Sequence, residues 1–410
     1  MSKKKKNILP KKTVAIIIAL TILNLILLLI FFIKNDLNIE NKSNDYPELS
    51  YLSNTNMPFS ELSDYFKSLA KNRGGVYAFE ILKKAKLPNN IDLHLLGHGI
   101  GDILYKEKGI DGIKFCTQDF RNACSHTIVI GAFIEYGEKV IPKIKKICHE
   151  APGGRGAYTM CFHGFGHGVL AYAGYDLDRA VKLCKKVGSE EFANREYVEC
   201  AGGTIMEMMS GVHDRETWLK QVKKYMPQNN PLAPCNTEVM PDELKGICYT
   251  YLTPRLFEAA GSNLASPEPE TYTKAFNFCN QIPKDKSDNR NICYGSFGKE
   301  FVVLASNRDI RNIGEMTEKQ LKNVYEWCQK AEATEGIRAC IGSALQSLFW
   351  GGENNPNASI IFCKIVGEEY QNQCYGELIG SIKYFLSDNN KGQKICEMLP
   401  DKYKQTCKSK

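Results

Sequence analysis

Many motifs that identify enzyme classes are missing from this 410-residue chain. No two cysteines stand in the C-x2-C spacing that clustered zinc ligands need, and the C-x-x-C-H haem attachment motif does not occur. The H-E-x-x-H helix of zinc proteases, the Gly-Lys-Ser/Thr phosphate loop and the Gly-x-Ser-x-Gly elbow of serine hydrolases are also absent. The sequence therefore offers no nucleotide or haem motif, and no motif identifies a substrate.

Net positive charge is small outside the amino terminus. The formal net charge is +7, but six lysines lie in the first twelve residues, and a net charge of only +1 remains without them. A protein that binds DNA or RNA needs a basic surface to neutralise phosphates. We therefore expect no nucleic-acid partner.

One long apolar run follows those lysines. Thr13 to Ile33 spans 21 residues without a charge, and Asn24 is its only strongly polar residue. A helix of that length would be about 31 Å long, which is enough to cross a bilayer. The lysines before it place the amino terminus in the cytoplasm. The predicted order is a cytoplasmic basic tail (1–12), a transmembrane anchor (13–33) and a polar stalk (34–57), with the bulk of the chain extracytoplasmic and the membrane as a partner.

A cleaved signal peptide is the alternative explanation of this run. Its apolar region should be shorter and should end in small residues, whereas the run here ends in Phe31-Phe32-Ile33-Lys34. No cysteine stands directly after the run, so lipoprotein acylation is not expected. We favour an uncleaved signal-anchor.

The sixteen cysteines fall into neighbouring pairs, with none left over. An even number of cysteines outside the cytoplasm indicates disulfide bonds. The expected bonds, in chain order, are Cys116–Cys124, Cys148–Cys161, Cys184–Cys200, Cys235–Cys248, Cys279–Cys293, Cys328–Cys340, Cys363–Cys374 and Cys396–Cys407. A mixture of short-range and long-range disulfides that only looks regular is the alternative.

The pairs also repeat along the chain. The second cysteine of each pair recurs every 33 to 48 residues, a period typical of stacked helical hairpins. Each disulfide would join the end of one helix to the start of the next, and closing a loop of about a dozen residues gains roughly 3 kcal/mol. We predict an all-α fold, with the N-terminal transmembrane helix followed by an α-solenoid of about eight disulfide-stapled helical hairpins, from about residue 58 to 407.

Five of the seven histidines occupy related positions in the first hairpins. Two copies of His-x3-His-Gly occur, and a Cys-Ser-His stands between them at the equivalent place of its own repeat. These five histidines are His94, His98, His126, His163 and His167. Histidines at i and i+4 share one helix face, which is the arrangement that two ligands of one metal need. The remaining two, His149 and His213, are interpreted as loop residues without a role.

Equivalent positions on packed helices face the same way, so His126 could complete a three-histidine metal site with either flanking pair. Asp102, Glu135 and, more weakly, Glu207 are candidate catalytic or supporting carboxylates. Histidines that are buried and hydrogen-bonded, with no metal, are the structural alternative, and a surface binding patch is a third. The hairpins over residues 58–215 carry all the histidines, and those over 216–410 have paired cysteines but no histidine.

The segment Cys161-Phe-His-Gly-Phe-Gly-His-Gly168, followed by Asp176–Cys184 and Cys200–Glu207, resembles a group of uncharacterised bacterial and archaeal membrane-anchored proteins. These carry a Cys-x-His-Gly-x-Gly-His phrase among paired-cysteine helical repeats. The resemblance covers roughly residues 90 to 210 and implies a shared fold, with no activity attached. More loosely, the hairpin period looks like tetratricopeptide or Sel1-like arrays.

Two functions remain open from the sequence. The first is a metal-dependent extracytoplasmic enzyme, for example a hydrolase, with zinc or iron bound by the five histidines; imidazole also suits copper. The second is a helical-repeat scaffold that binds a protein or peptide of the cell envelope, with structural histidines. In both, the hairpins without histidine act as scaffold or as a concave protein-binding surface.

Overall fold

Helices form 78% of the structure, a computed structural model in which no residue belongs to a β-strand. That statement covers the residues that are described, which are 46–211, 213–227, 229–351, 355–386 and 390–409. A single isolated bridge, between Asn263 and Ser266, is the only β-type pairing among them. The predicted all-α class is confirmed.

The described part of the chain contains 21 α-helices, numbered here in chain order. The first ten are α1 (Pro47–Ser53), α2 (Phe59–Arg73), α3 (Gly75–Lys84), α4 (Leu93–Lys108), α5 (Asp119–Tyr136), α6 (Ile141–Glu150), α7 (Gly154–Tyr172), α8 (Leu177–Lys185), α9 (Arg195–Ser210) and α10 (Arg215–Tyr225). The others are α11 (Ala233–Asn236), α12 (Asp242–Thr250), α13 (Thr253–Ala260), α14 (Thr271–Asn277), α15 (Ser287–Ala305), α16 (Glu318–Cys328), α17 (Thr334–Gly351), α18 (Asn357–Ile365), α19 (Glu368–Phe385), α20 (Asn390–Met398) and α21 (Asp401–Lys408). Short 3-10 helices cover Gly109–Phe115, Gly137–Val140, Phe278–Gln281, Lys284–Lys286, Ile310–Glu315 and Gln329–Ala331.

The predicted anchor, 13–33, lies outside the described residues, as does the basic tail. Among the helices that are described, none combines the length and the apolar character needed to cross a membrane. Residues 46–57 of the predicted stalk are described, and they include the short helix α1. The chain divides after Asn54, and everything from Thr55 onward forms one compact unit.

All eight expected disulfides are present, and no cysteine is free. Each joins neighbouring cysteines, 8 to 16 residues apart in sequence. One detail differs from the prediction. The second cysteine lies one to two turns inside its helix instead of at its start, as for Cys161 in α7 and Cys340 in α17. The bond therefore holds the interior of the second helix, which is the part that is buried.

The two helices of a hairpin differ in burial. A short first helix such as α8 is amphipathic: Leu177, Ala180, Val181 and Cys184 are buried, and its lysines face solvent. The longer second helices are surrounded by protein, and all ten residues from 161 to 170 in α7 are buried. A helix that is apolar on every side belongs to the core. The second helices thus form the interior, and their side chains meet those of neighbouring hairpins.

Glycines let these inner helices approach closely, at equivalent places in two hairpins. Gly166 and Gly298 each stand five residues after the second cysteine of their pair. A Cβ atom at Gly166 would overlap the carbonyl oxygen of Cys200, and one at Gly298 would overlap that of Cys340. Because only glycine avoids this overlap, α7 packs on α9 and α15 packs on α17 with backbones nearly in contact.

Hairpins far apart in sequence also meet. Asn90 donates a backbone hydrogen bond of 2.9 Å to the carbonyl of Asn307. The guanidinium of Arg311 donates to the carbonyls of Leu82 and Ala85, at the end of α3. These bonds tie the histidine-bearing hairpins to the hairpins without histidine. The further prediction, that the hairpins form a regular α-solenoid, stays a prediction.

Candidate metal centre

Six of the seven histidines converge on one place in the interior. They are His94, His98, His126, His163, His167 and His213, and each ring lies within about 6 Å of at least one other. Three helices carry five of them: two on α4, one on α5 and two on α7, while His213 follows the end of α9. We call these six residues the histidine cluster. The structure brings together all five histidines predicted from the repeats.

Local sequence explains how His94 is oriented. The Asp92 side chain caps α4 by accepting the Leu95 N–H at 3.0 Å, so that His94 and His98 share one face of the first two turns. His94 Nδ1 donates to the carbonyl of Phe120 at 2.6 Å, which leaves Nε2 as the acceptor nitrogen. Histidine ligands of metals usually have their second nitrogen held in this way.

The carbonyl that accepts this bond belongs to an uncommon turn. Phe120, Arg121 and Asn122 all have left-handed backbone conformations, with φ of 53°, 54° and 64°. Three successive non-glycine residues in that region are strained by roughly 1–2 kcal/mol each. Strain of this kind persists where the surrounding structure imposes it, often at functional sites. Here the turn directs the Phe120 carbonyl at His94.

His94, His98 and His126 form the first potential ligand set. Their donor atoms all lie within 4.8 Å of one another, and the Nε2 atoms of His94 and His98 are 3.0 Å apart. Ligand nitrogens of a tetrahedral zinc ion stand about 3.3 Å apart, so the pair of His94 and His98 needs little movement. Nδ1 of His98 is buried and has no hydrogen-bond partner. The Met160 backbone is near enough to His126 to favour the protonated form of that imidazole. Neither ring nitrogen of His126, however, has a hydrogen-bond partner of acceptable geometry.

His167, Glu207 and His213 form a second set. Glu207 Oε2 accepts from Nδ1 of His167 at 3.1 Å and from Nδ1 of His213 at 2.7 Å. Its Oε1 accepts from the Tyr175 hydroxyl at 2.5 Å and from the backbone N–H of His213 at 3.0 Å. The Glu207 side chain is fully buried. Nε2 of His167 is also buried and has no partner. A buried carboxylate therefore fixes two imidazole rings beside the first set.

His163 connects the cluster to a different part of the interior. Its Nδ1 is 3.3 Å from the hydroxyl of Tyr251, which follows α12. The ammonium of Lys299 lies 4.0 Å above the Tyr251 ring and pairs with Glu300 at 3.2 Å. Tyr251 belongs to the region that we expected to act as scaffold or as a concave protein-binding surface. That region thus supplies a side chain that contacts a cluster histidine.

Burial determines the charge state of most of these rings. It lowers the pKa of His98, His126 and His163 well below the usual value of 6.5, so these rings are neutral near pH 7. Burial likewise lowers the pKa of His94. A neutral imidazole keeps a free lone pair, and only this form binds a metal. These four histidines are therefore ready for metal binding without having to lose protons at neutral pH.

The second set behaves differently because it contains a carboxylate. Burial lowers the pKa of His213, but its hydrogen bond to Glu207 and the negative charge there outweigh burial and raise that pKa overall. For Glu207, burial raises the pKa, while the hydrogen bonds from His167 and His213 outweigh this effect and lower it. Glu207 is thus ionised and matched by histidine N–H groups.

The three candidate carboxylates lie at different places relative to the cluster. Glu207, the weakest of them on sequence, lies inside the cluster. Asp102 is exposed at its edge, and its charge contributes to the raised pKa of His213. Glu135 is exposed and accepts hydrogen bonds from Tyr105 and Tyr136. It stands nine residues beyond His126 on α5, about 13 Å along the helix, so the structure does not bring it to the cluster.

His213 and Tyr251 are the residues that sequence reasoning missed. His213 comes near Glu207 because Gly211, with φ of 60°, ends α9 and reverses the chain. A glycine followed by the helix-capping Asp214 is a signal for such a reversal, although it does not name a partner. Tyr251 carries no comparable signal. His149, also without a predicted role, was predicted to lie in a loop, and this is wrong: it lies in the last turn of α6, is exposed and stacks on Tyr158.

Glycines allow the helices to approach each other closely beside the imidazole rings. A Cβ atom at Gly164 would lie 2.5 Å from the Cα of His126, and one at Gly202 would lie 3.4 Å from Nδ1 of His163. Gly202 occupies, in its own hairpin, the position that His126 and His163 hold in theirs. The glycines beside the histidine phrases therefore permit close helix approach around a small polar centre.

Buried neutral imidazoles in this number can coordinate a first-row divalent metal ion. Three protein ligands and an open position for water would make such an ion a Lewis acid and a source of hydroxide near neutral pH. Comparison of the chain with protein-family models, with curated proteins and with solved structures gave no match. The chemistry of the site is therefore argued from its geometry alone.

Proposed function

We propose that this protein is a membrane-anchored, extracytoplasmic metalloenzyme that uses a metal-bound water for hydrolysis. In this proposal His94, His98 and His126 hold a zinc or iron ion, and the disulfide-stapled hairpins form a solenoid that keeps the site rigid. The eight disulfides support an oxidising compartment, since such bonds are rare in the cytosol.

One observation carries the proposal. Four imidazole nitrogens, on His98, His126 and His167, are buried without a hydrogen-bond partner. Leaving a buried polar atom unsatisfied costs about 1–3 kcal/mol, so native proteins rarely do so repeatedly at one place. Each neutral ring has one lone pair, and a bound cation would satisfy that lone pair on every ring that it contacts. Histidines that only stabilise the fold would each be expected to have a partner.

The proposal is tested by metal content. The full chain, purified from an oxidising compartment without a histidine tag, should contain a stoichiometric amount of zinc or iron and no free thiols. The variant His126→Asn should lose the ion of this three-histidine site while its helical circular dichroism is retained. His149→Asn, which removes an exposed histidine outside the cluster, is the matched control and should keep the metal. Turnover of ester, amide or phosphoester substrates should then follow metal content.

The alternative function, a scaffold that binds an envelope protein or peptide, makes the opposite prediction. It expects no metal, even after the protein has been incubated with zinc and iron, and a lower melting temperature in His126→Asn. A folded, thiol-free protein that stays free of metal would refute the metalloenzyme.

A further inference from the structure

The histidine cluster contains more donors than one ion can use. A catalytic zinc site has three protein ligands and a water, and the set of His94, His98 and His126 already supplies three. Three histidines and Glu207 remain. Of these, His167, Glu207 and His213 bring donor atoms to within 4.8 Å of one another, which is the same closeness as in the first set.

We infer that the cluster holds two neighbouring divalent metal ions, the second one bound by His167, Glu207 and His213. This inference rests on the proposed function, because the first ion is the one that function requires. It adds a second metal site and a two-ion mechanism.

The second set is suited to an ion by its chemistry. It joins two imidazoles to one carboxylate, a combination that zinc, iron and manganese accept. Oε2 of Glu207 is the oxygen that faces both rings, at 3.1 Å and 2.7 Å, while Oε1 is already held by Tyr175 and by a backbone N–H. One oxygen is thus anchored by the protein, and the other is directed at the two histidines, whose N–H protons an ion bound there would displace.

The two sets touch each other. The ring centroid of His98 lies 5.9 Å from that of His213 and 6.2 Å from that of His167. The ring of His126 is also 6.2 Å from that of His167. His167 therefore borders both sets, and its Nε2 is buried without a hydrogen-bond partner. Ions bound to the two sets would be neighbours with no protein layer between them.

Neighbouring ions allow a chemistry that a single ion does not. One ion can hold the attacking water while the other stabilises charge on the leaving or non-bridging oxygen. We therefore expect esters or phosphoesters, whose hydrolysis develops charge on oxygen, to be the substrates of this centre. The alternative is that Glu207 only positions His167 and His213 through hydrogen bonds, with a single ion in the first set.

Metal stoichiometry separates these possibilities. Metal is removed from the full chain with a chelator, zinc is added back, the excess is dialysed away, and the bound zinc is measured by elemental analysis. A second metal-free sample is loaded with manganese and studied by electron paramagnetic resonance. We expect two equivalents of zinc and the spectrum of a magnetically coupled manganese pair. Glu207→Gln and His213→Asn should each bind one equivalent and give an uncoupled spectrum. His126→Asn should also bind one, and His149→Asn should still bind two.

Other outcomes overturn the inference in distinguishable ways. One equivalent in the unaltered chain, retained in Glu207→Gln and lost in His126→Asn, would refute the second ion and leave the proposed function standing. No zinc and no manganese in the folded, thiol-free chain would refute both. Helical circular dichroism of each variant, compared with that of His149→Asn, shows whether a loss of metal is only a loss of fold.

Discussion

The hairpins with histidines and those without share one construction but have different interiors. In both regions neighbouring cysteines staple a short helix to a long one, and glycines at the same repeat position, Gly166 and Gly298, let long helices pack closely. The first region places neutral imidazoles between those helices. The second packs aromatic rings of a short helix against a long one, as where Phe276 of α14 stacks on Phe297 of α15 at 4.0 Å. The same hairpin construction is therefore compatible with a polar or an apolar interior, and only the polar interior contains groups that can bind a metal.

The separation between the two regions is incomplete. Tyr251, from the region without histidines, contacts His163, and Arg311 from the same region binds carbonyls near the end of α3. The second region thus contributes directly to the environment of the cluster. Changes made at matching places in both regions therefore test how far the two regions differ.

The largest expected effect comes from removing one staple in each region. Replacing Cys148 and Cys161 by alanine, or Cys363 and Cys374 by alanine, opens loops of similar length. Each double variant should lose about 3 kcal/mol of unfolding free energy in denaturant titrations, because the unfolded chain gains freedom. Only the first should also lower metal content, since Cys161 lies on the helix of His163. Equal loss of metal in both double variants would mean that metal binding by the cluster depends on the stability of both regions equally.

A smaller effect is expected at the matched glycines. Gly166→Ala and Gly298→Ala each force a Cβ atom against a backbone oxygen, so both should lower the unfolding free energy by about 1–3 kcal/mol. Gly376→Ala is the control, because nothing lies near its Cβ position, and it should leave stability unchanged or raise it by up to about 1 kcal/mol. Metal binding should weaken only in Gly166→Ala. If Gly166→Ala is destabilised but binds metal normally, helix spacing does not position the cluster.

The smallest effect is a pH dependence confined to the first region, since residues 216–410 contain no histidine. His98, His126 and His163 have a folded-state pKa well below 6.5, so the unfolded chain binds more protons as the pH falls towards 6.5. The contribution of these rings to the unfolding free energy of the metal-free protein is therefore fully present above pH 6.5 and declines as the pH falls through 6.5. Denaturant titrations at pH 7.5 and 6.5 should differ by about 1 kcal/mol. A protein that is equally stable, or more stable, at pH 6.5 would contradict neutral buried rings.

Much of the cluster could be predicted from the sequence because the histidines repeat. His94 and His98, like His163 and His167, are four residues apart on one helix, and helix geometry alone places them together. Glu207 was a weak candidate because no period links it to a histidine. His213 was missed because its approach depends on a chain reversal at Gly211. No local pattern connects Tyr251 to His163, which is 88 residues away.

The short-range features of the protein follow from its sequence alone. Apolar spacing and capping define the helices, and the disulfides join cysteines only 8 to 16 residues apart. The convergence of six histidines from four hairpins, and the position of Glu207 between two of them, depend on the tertiary structure. The physical reason is that the angle and distance at which hairpins pack depend on many contacts between distant residues. Those contacts leave no period in the sequence.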